Sequence, residues 1–126
     1  MKKFLIADDQ QGWREHNVLA VSRLYADSDI ITAASAKEAY DILLENISEP
    51  FDYVLTDMQM ESDYEPKKAG EWLIEQIQNL PQYRKTKIII ISAMPMLAYI
   101  AERYGVDYIP KSSAAASEDK YKELLN

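Results

Sequence analysis

Short apolar runs alternate along this chain with longer stretches whose apolar residues recur every three or four positions. "FLIA" (4–7) is a continuous apolar run, the pattern of a strand buried on both faces. A helical stretch follows in which Trp13, Val18, Val21, Leu24 and Tyr25 share a face. "DIITA" (29–33) reads as a second strand. "SAKEAYDILLENI" (35–47) opens with a capping-box pattern, Ser35 and Glu38, and sets Ala39, Leu43 and Ile47 at helical spacing. "YVLT" (53–56) is a third strand. After a polar loop, "GEWLIEQIQNL" (70–80) places Leu73, Ile74 and Ile77 on one side of a helix. "KIIIIS" (87–92) is the clearest strand, because consecutive β-branched residues suit a central, buried position. "MLAYIAERYG" (96–105) reads as a short helix stopped by Gly105. "VDYIP" (106–110) is a fifth strand, and "SEDKYKELL" (117–125) a last helix with Ser117 as its candidate N-cap. Strand and helix thus alternate, which predicts a parallel sheet covered by helices on both faces.

Length and composition fit that picture. The 126 residues suggest one domain, 1–126, with a substantial core. "SSAAAS" (112–117) is biased in composition but too short to separate domains. The net charge of −7 argues against nonspecific binding to nucleic acid or an anionic membrane, and leaves room for an acidic pocket that attracts a cation. The absence of cysteine excludes disulfides, thiolate catalysis and Cys-based zinc sites. His16 is the only histidine, which argues against a His-based metal site or catalytic triad; its helical position predicts exposure. No run reaches the roughly 20 apolar residues of a membrane span, and the start is too short for a signal-peptide h-region. A cytoplasmic location is the default expectation.

The chemistry gathers after the strands, where open α/β sheets bind ligands. Asp8 and Asp9 follow the first strand, Asp57 the third, Ser92 ends the fourth and Lys111 follows the fifth. Singly, an Asp after a strand is a turn former, Ser92 a capping residue and Lys111 a solvated lysine. Turn chemistry does not require all of them together at one sheet edge. Neighbouring carboxylates repel, and Mg²⁺ would relieve that. A carboxylate, Mg²⁺, a hydroxyl and a lysine suit phosphoryl transfer, with Asp57 as the nucleophile that forms an aspartyl phosphate.

Over essentially its whole length the chain resembles the receiver domain of two-component response regulators, the CheY-like fold. The resemblance rests on "ADD" (Asp8, Asp9), "LTDMQM" (Asp57), "ISA" (Ser92, Ala93) and "DYIPK" (Tyr108, Lys111), four motifs in order at predicted strand ends. It implies a flavodoxin-like, doubly wound sheet of order 2-1-3-4-5. It further implies that Asp57 accepts phosphate from a histidine kinase or histidine phosphotransfer protein. Asp8, Asp9, Asp57 and the backbone carbonyl of Gln59 would hold Mg²⁺, and Lys111 would pair with the phosphoryl group. Ser92 and Tyr108 would act as a switch, altering a surface near the fourth helix and fifth strand that a downstream protein reads. The domain would not be an enzyme beyond self-phosphorylation and autodephosphorylation. It would act alone or as one domain of a longer chain, without contacting nucleic acid or membrane.

Three departures from the family pattern stand out. Ser112 replaces the proline that usually follows the lysine in a cis peptide bond; a cis bond to serine would cost about 3–4 kcal/mol. The segment after Asp57 is longer than usual, delaying the glycine to Gly70 and adding Glu61, Asp63 and Glu65, which read as solvated or, alternatively, as tuning the metal. The interval from Ser92 to Lys111 is short, so the fourth helix should be short or displaced. Met94, Pro95, Met96 and Leu97 there read either as an adaptable apolar patch or as a cap on the core. Trp13 could pack beside the site, and Trp72 should anchor the third helix to the sheet.

Two other functions compete. One is a pseudo-receiver, a binding module with this fold that is never phosphorylated; the missing proline is its support. The other is an aspartyl-phosphate phosphohydrolase, disfavoured because Gln59 stands where haloacid-dehalogenase-like enzymes carry a second acid. A flavin phosphate would be repelled by "DDQQGW" (8–13).

Overall fold

The computed structural model describes residues 1–60 and 68–125. Strands β1 (Lys2–Ala7), β2 (Ser28–Ala33), β3 (Tyr53–Thr56), β4 (Lys87–Ser92) and β5 (Asp107–Pro110) form one sheet. All pairings are parallel and the order is β2-β1-β3-β4-β5. This is the flavodoxin-like sheet, and its strands match the apolar runs to within two residues at either end.

Alternation along the strands divides the core in two. Leu5, Ala7, Val54, Ile88 and Ile90 face helices α2 (Ala36–Glu45), α3 (Ala69–Asn79) and α4 (Leu97–Tyr104). Phe4, Ile6, Tyr53, Leu55, Ile89, Ile91 and Ile109 face α1 (Gln11–Leu24), α5 (Lys111–Ala116) and α6 (Asp119–Leu124). A period of two on strands with both faces covered explains why β4 is apolar at every central position.

Helix boundaries have local causes. Ser35 caps α2, its Oγ accepting from Glu38 N at 3.0 Å, while Glu38 Oε1 accepts from Ala34 N at 3.2 Å. Ser35→Ala should therefore cost about 1 kcal/mol, read as a lower urea midpoint with unchanged slope. Gly105 ends α4 at φ 67°, where a glycine carries no Cβ penalty.

Three expectations need correction, and one helix was not anticipated. "SSAAAS" is mostly helix: α5 begins at Lys111 directly after β5 and buries Ala114. Alanine propensity, with Pro110 extended as the N-cap residue, favours this. At α6, Glu118 holds the N-cap position, and Ser117 Oγ accepts from Asp119 N at 3.3 Å. Trp72 is 37% exposed rather than buried as an anchor, and packs edge-on against Tyr40 of α2, with centroids 5.4 Å apart. His16 is half-buried rather than exposed, with Trp13 and Tyr121 on either side.

The interval between β4 and α4 divides its apolar residues. Leu97 is buried and Met94 packs on the core, whereas Met96 is 70% exposed and left-handed at φ 63°. The fourth helix has 8 residues and is indeed short.

Candidate functional site

The sheet ladder runs one residue past the apolar strands. Asp8 N donates to Ala33 O at 3.1 Å and Asp57 N to Ala7 O at 3.0 Å. Both acids therefore have backbones fixed by sheet pairing, and their carboxylates are held at the carboxyl edge. Asp57 is 7% exposed and Asp8 1%. Asp9, next along, is half-buried. One oxygen from each of these three carboxylates lies within 4.8 Å of the others.

Lys111 closes the cluster. Its Nζ donates to Asp57 Oδ2 at 3.0 Å and lies 3.1 Å from Asp8 Oδ2. The same ammonium sits 5.0 Å from the centroid of the Trp13 ring, a cation–π distance. Trp13 thus packs beside the site. The Lys111–Ser112 bond is trans, since no described peptide bond is cis. Losing the proline has not carried the lysine away from Asp57.

The remaining carboxylate oxygens have distinct partners. Asp57 Oδ1 accepts from Met58 N at 2.7 Å, and Asp8 Oδ1 from Gln10 N at 2.9 Å. Asp8 O accepts from Arg14 Nη1 at 2.8 Å, tying α1 to the end of β1. Asp8 Oδ2 is buried and accepts no hydrogen bond, since Lys111 meets it at ion-pair distance but outside hydrogen-bond geometry. Burial raises the Asp8 pKa above the ordinary carboxylate range. The Gln10 N–H opposes that rise, the Asp57 charge adds to it and the Lys111 ammonium opposes it.

Ser92 is buried at the end of β4, where it pairs with Pro110 beside the lysine; its Oγ accepts from Met94 N at 3.2 Å. Tyr108 pairs with Ile90 and is 38% exposed. Gln59 is exposed in the loop after Asp57. Glu61, Asp63 and Glu65 lie outside the described residues.

Gly70 is the site residue that sequence reasoning passed over. It lies in the first turn of α3, and its N–H donates to Met58 O at 3.0 Å. A Cβ there would stand 2.5 Å from both Asp57 O and Met58 Cα. The loop carrying Asp57 is thus pressed onto the helix backbone, which only glycine permits. The available signal was a glycine opening a helix soon after the acid.

No family model and no curated protein sequence matches the chain. Solved structures do. A CheY-like receiver domain from Methanospirillum hungatei is 24% identical at a TM-score of 0.71, covering 99% of this chain and 94% of that one. A chain of the CheX–CheY–BeF₃–Mg²⁺ complex from Borrelia burgdorferi is 21% identical at 0.78, covering 98% and 86%. A Burkholderia pseudomallei response regulator with a phosphorylated aspartic acid, calcium ion and citrate is 19% identical at 0.73, covering 100% and 67%. The structural neighbours are thus CheY-like response regulator receiver domains, and this chain shares their fold over nearly its whole length.

Proposed function

We propose that this chain is a receiver domain of a two-component system, in which Asp57 accepts a phosphoryl group from a histidine kinase or histidine phosphotransfer protein. One observation carries the reading: a lysine bridges two buried carboxylates at the sheet edge, beside a third. Among the structural neighbours, one response regulator contains a phosphorylated aspartic acid, and a CheY is bound to CheX with BeF₃ and Mg²⁺. The support for the pseudo-receiver reading is the missing proline, and Lys111 lies 3.0 Å from Asp57 without it.

The cluster fits a hard divalent cation. Three carboxylates converge, and the buried Asp8 Oδ2 has only the Lys111 ammonium, 3.1 Å away and shared with Asp57, to offset its charge. Asp8, Asp9 and Asp57, with the Gln59 carbonyl, would hold Mg²⁺, which would neutralise charge on the phosphoryl oxygens. Asp57 attacks phosphorus, forming a new O–P bond. The P–N bond of the phosphohistidine breaks, and its electron pair leaves with the imidazole, which takes a proton from water. Lys111 exchanges its Asp57 contact for a phosphoryl oxygen. Ser92 gives up Met94 N and donates to another phosphoryl oxygen. Tyr108, exposed before transfer, turns into the space released, changing the α4–β5 surface that a downstream protein reads.

Intact mass spectrometry after incubation with acetyl phosphate tests this. A single phosphoryl adduct is expected that needs Mg²⁺ and is lost in Asp57→Ala. A wild-type chain that takes up no phosphoryl group under these conditions would overturn the proposal.

A further inference from the structure

Lys111 stands in an awkward place. It is the first residue of a six-residue helix. So short a helix has little stability of its own, and a cation at its N-terminal end meets the unfavourable end of the peptide dipoles. Yet the residue is only 9% exposed, and its ammonium is bounded on three sides, by Asp57, Asp8 and the face of Trp13. Something outside α5 must fix it.

The restraint comes from one face of α1. Residues 13, 16 and 17 share that face, being three and four apart. The Trp13 and His16 rings meet edge-on at 4.9 Å. His16 Nε2 lies 2.9 Å from Ala114 O, one turn into α5. A carbonyl oxygen only accepts, so Nε2 carries the proton and donates. Asn17 Oδ1 accepts from Tyr121 OH of α6, which holds the next helix to the same face.

We propose that Trp13 and His16 are positioning residues for Lys111: Trp13 backs the ammonium, and His16 pins α5 so that its first residue stays over Asp57. The inference rests on the receiver reading for its kinetic consequence, though the contact itself stands on geometry. With Ser112 where a proline would stiffen the chain, the clamp from α1 supplies the fixity. Because Lys111 meets the phosphoryl oxygens, loss of the clamp should lower the maximal rate of phosphoryl uptake at saturating Mg²⁺.

Two measurements test it. The first uses Trp72→Phe, which leaves Trp13 as the only tryptophan of the original two and keeps a ring against Tyr40 on the other sheet face. In that background Lys111→Met should change the Trp13 emission. Unchanged emission overturns the contact, whatever the chain does with phosphate. The second follows phosphoryl uptake from acetyl phosphate, in which the Asp57 oxygen bonds phosphorus and acetate leaves with the electron pair. Trp13→Leu should lower the maximal rate at saturating Mg²⁺ roughly tenfold, with Trp13→Phe recovering most of it. His16→Gln, which keeps an N–H donor, should outperform His16→Leu. Leu and Phe variants that are folded and equally active overturn the positioning role. If the wild-type chain takes up no phosphate while the emission responds to Lys111→Met, the receiver reading fails, the kinetic role fails with it, and only the contact stands.

Discussion

Gly70→Ala is expected to lower the unfolding free energy by about 3 kcal/mol and to slow phosphoryl uptake by Asp57. The new methyl would stand 2.5 Å from Asp57 O and from Met58 Cα. Both are backbone atoms and cannot turn aside as a flexible side chain would. Either α3 withdraws, breaking the Gly70 N to Met58 O bond, or the loop after Asp57 shifts and takes the carboxylate with it. Gly12→Ala is the matched control. Gly12 is the second residue of α1 with nothing within 4 Å of its would-be Cβ, so alanine there should stabilise by no more than about 1 kcal/mol. Urea unfolding reads both changes. A Gly70→Ala variant as stable as wild type would mean that the loop is not pressed onto the helix.

The contrast between those glycines marks the boundary of what the sequence conveys. Both look alike as letters, and only the return of a distant loop tells them apart. The strands were legible because burial on two faces forces a continuous apolar run, and β4 shows this most clearly. The acids and the lysine were legible for a related reason: strand ends fall at a known edge of the sheet, so Asp8, Asp57 and Lys111 could be brought together before any coordinates. What failed depended on packing between helices. Trp72 meets Tyr40 of α2 at a partly exposed position, and His16 has a carbonyl 98 positions away. Helix α5 was missed because its apolar face is a single buried alanine, Ala114, which leaves no periodic signal. The absent proline after Lys111 left the lysine's position open, and contacts with Asp57 and Trp13 hold it beside the acids.

Asp8→Ala should make the protein more stable than wild type at neutral pH without Mg²⁺, and less stable than wild type with it. Without metal, the Asp8 carboxylate is buried beside another acid, and its pKa is raised chiefly by that burial. The folded state therefore keeps the Asp8 proton to higher pH than the unfolded chain does. Stability falls as pH rises through the window between the ordinary and the raised value, and the cost is fully present above it. Alanine removes that cost, and water at the exposed Gln10 replaces the lost bond to its N–H. The advantage should fade as pH falls to about 4, where the unfolded carboxyl also takes up its proton. Mg²⁺ should reverse the order. A ligand that binds only the folded state at roughly a hundred times its Kd adds about 2.7 kcal/mol, and a site without Asp8 forfeits most of that gain. Thermal unfolding of both proteins, at neutral pH and near pH 4 and with and without Mg²⁺, reads every sign. A wild-type Tm indifferent to Mg²⁺ would remove the metal from the mechanism. An Asp8→Ala variant weaker than wild type in its absence would show that Lys111 and Gln10 more than offset the burial of that carboxylate.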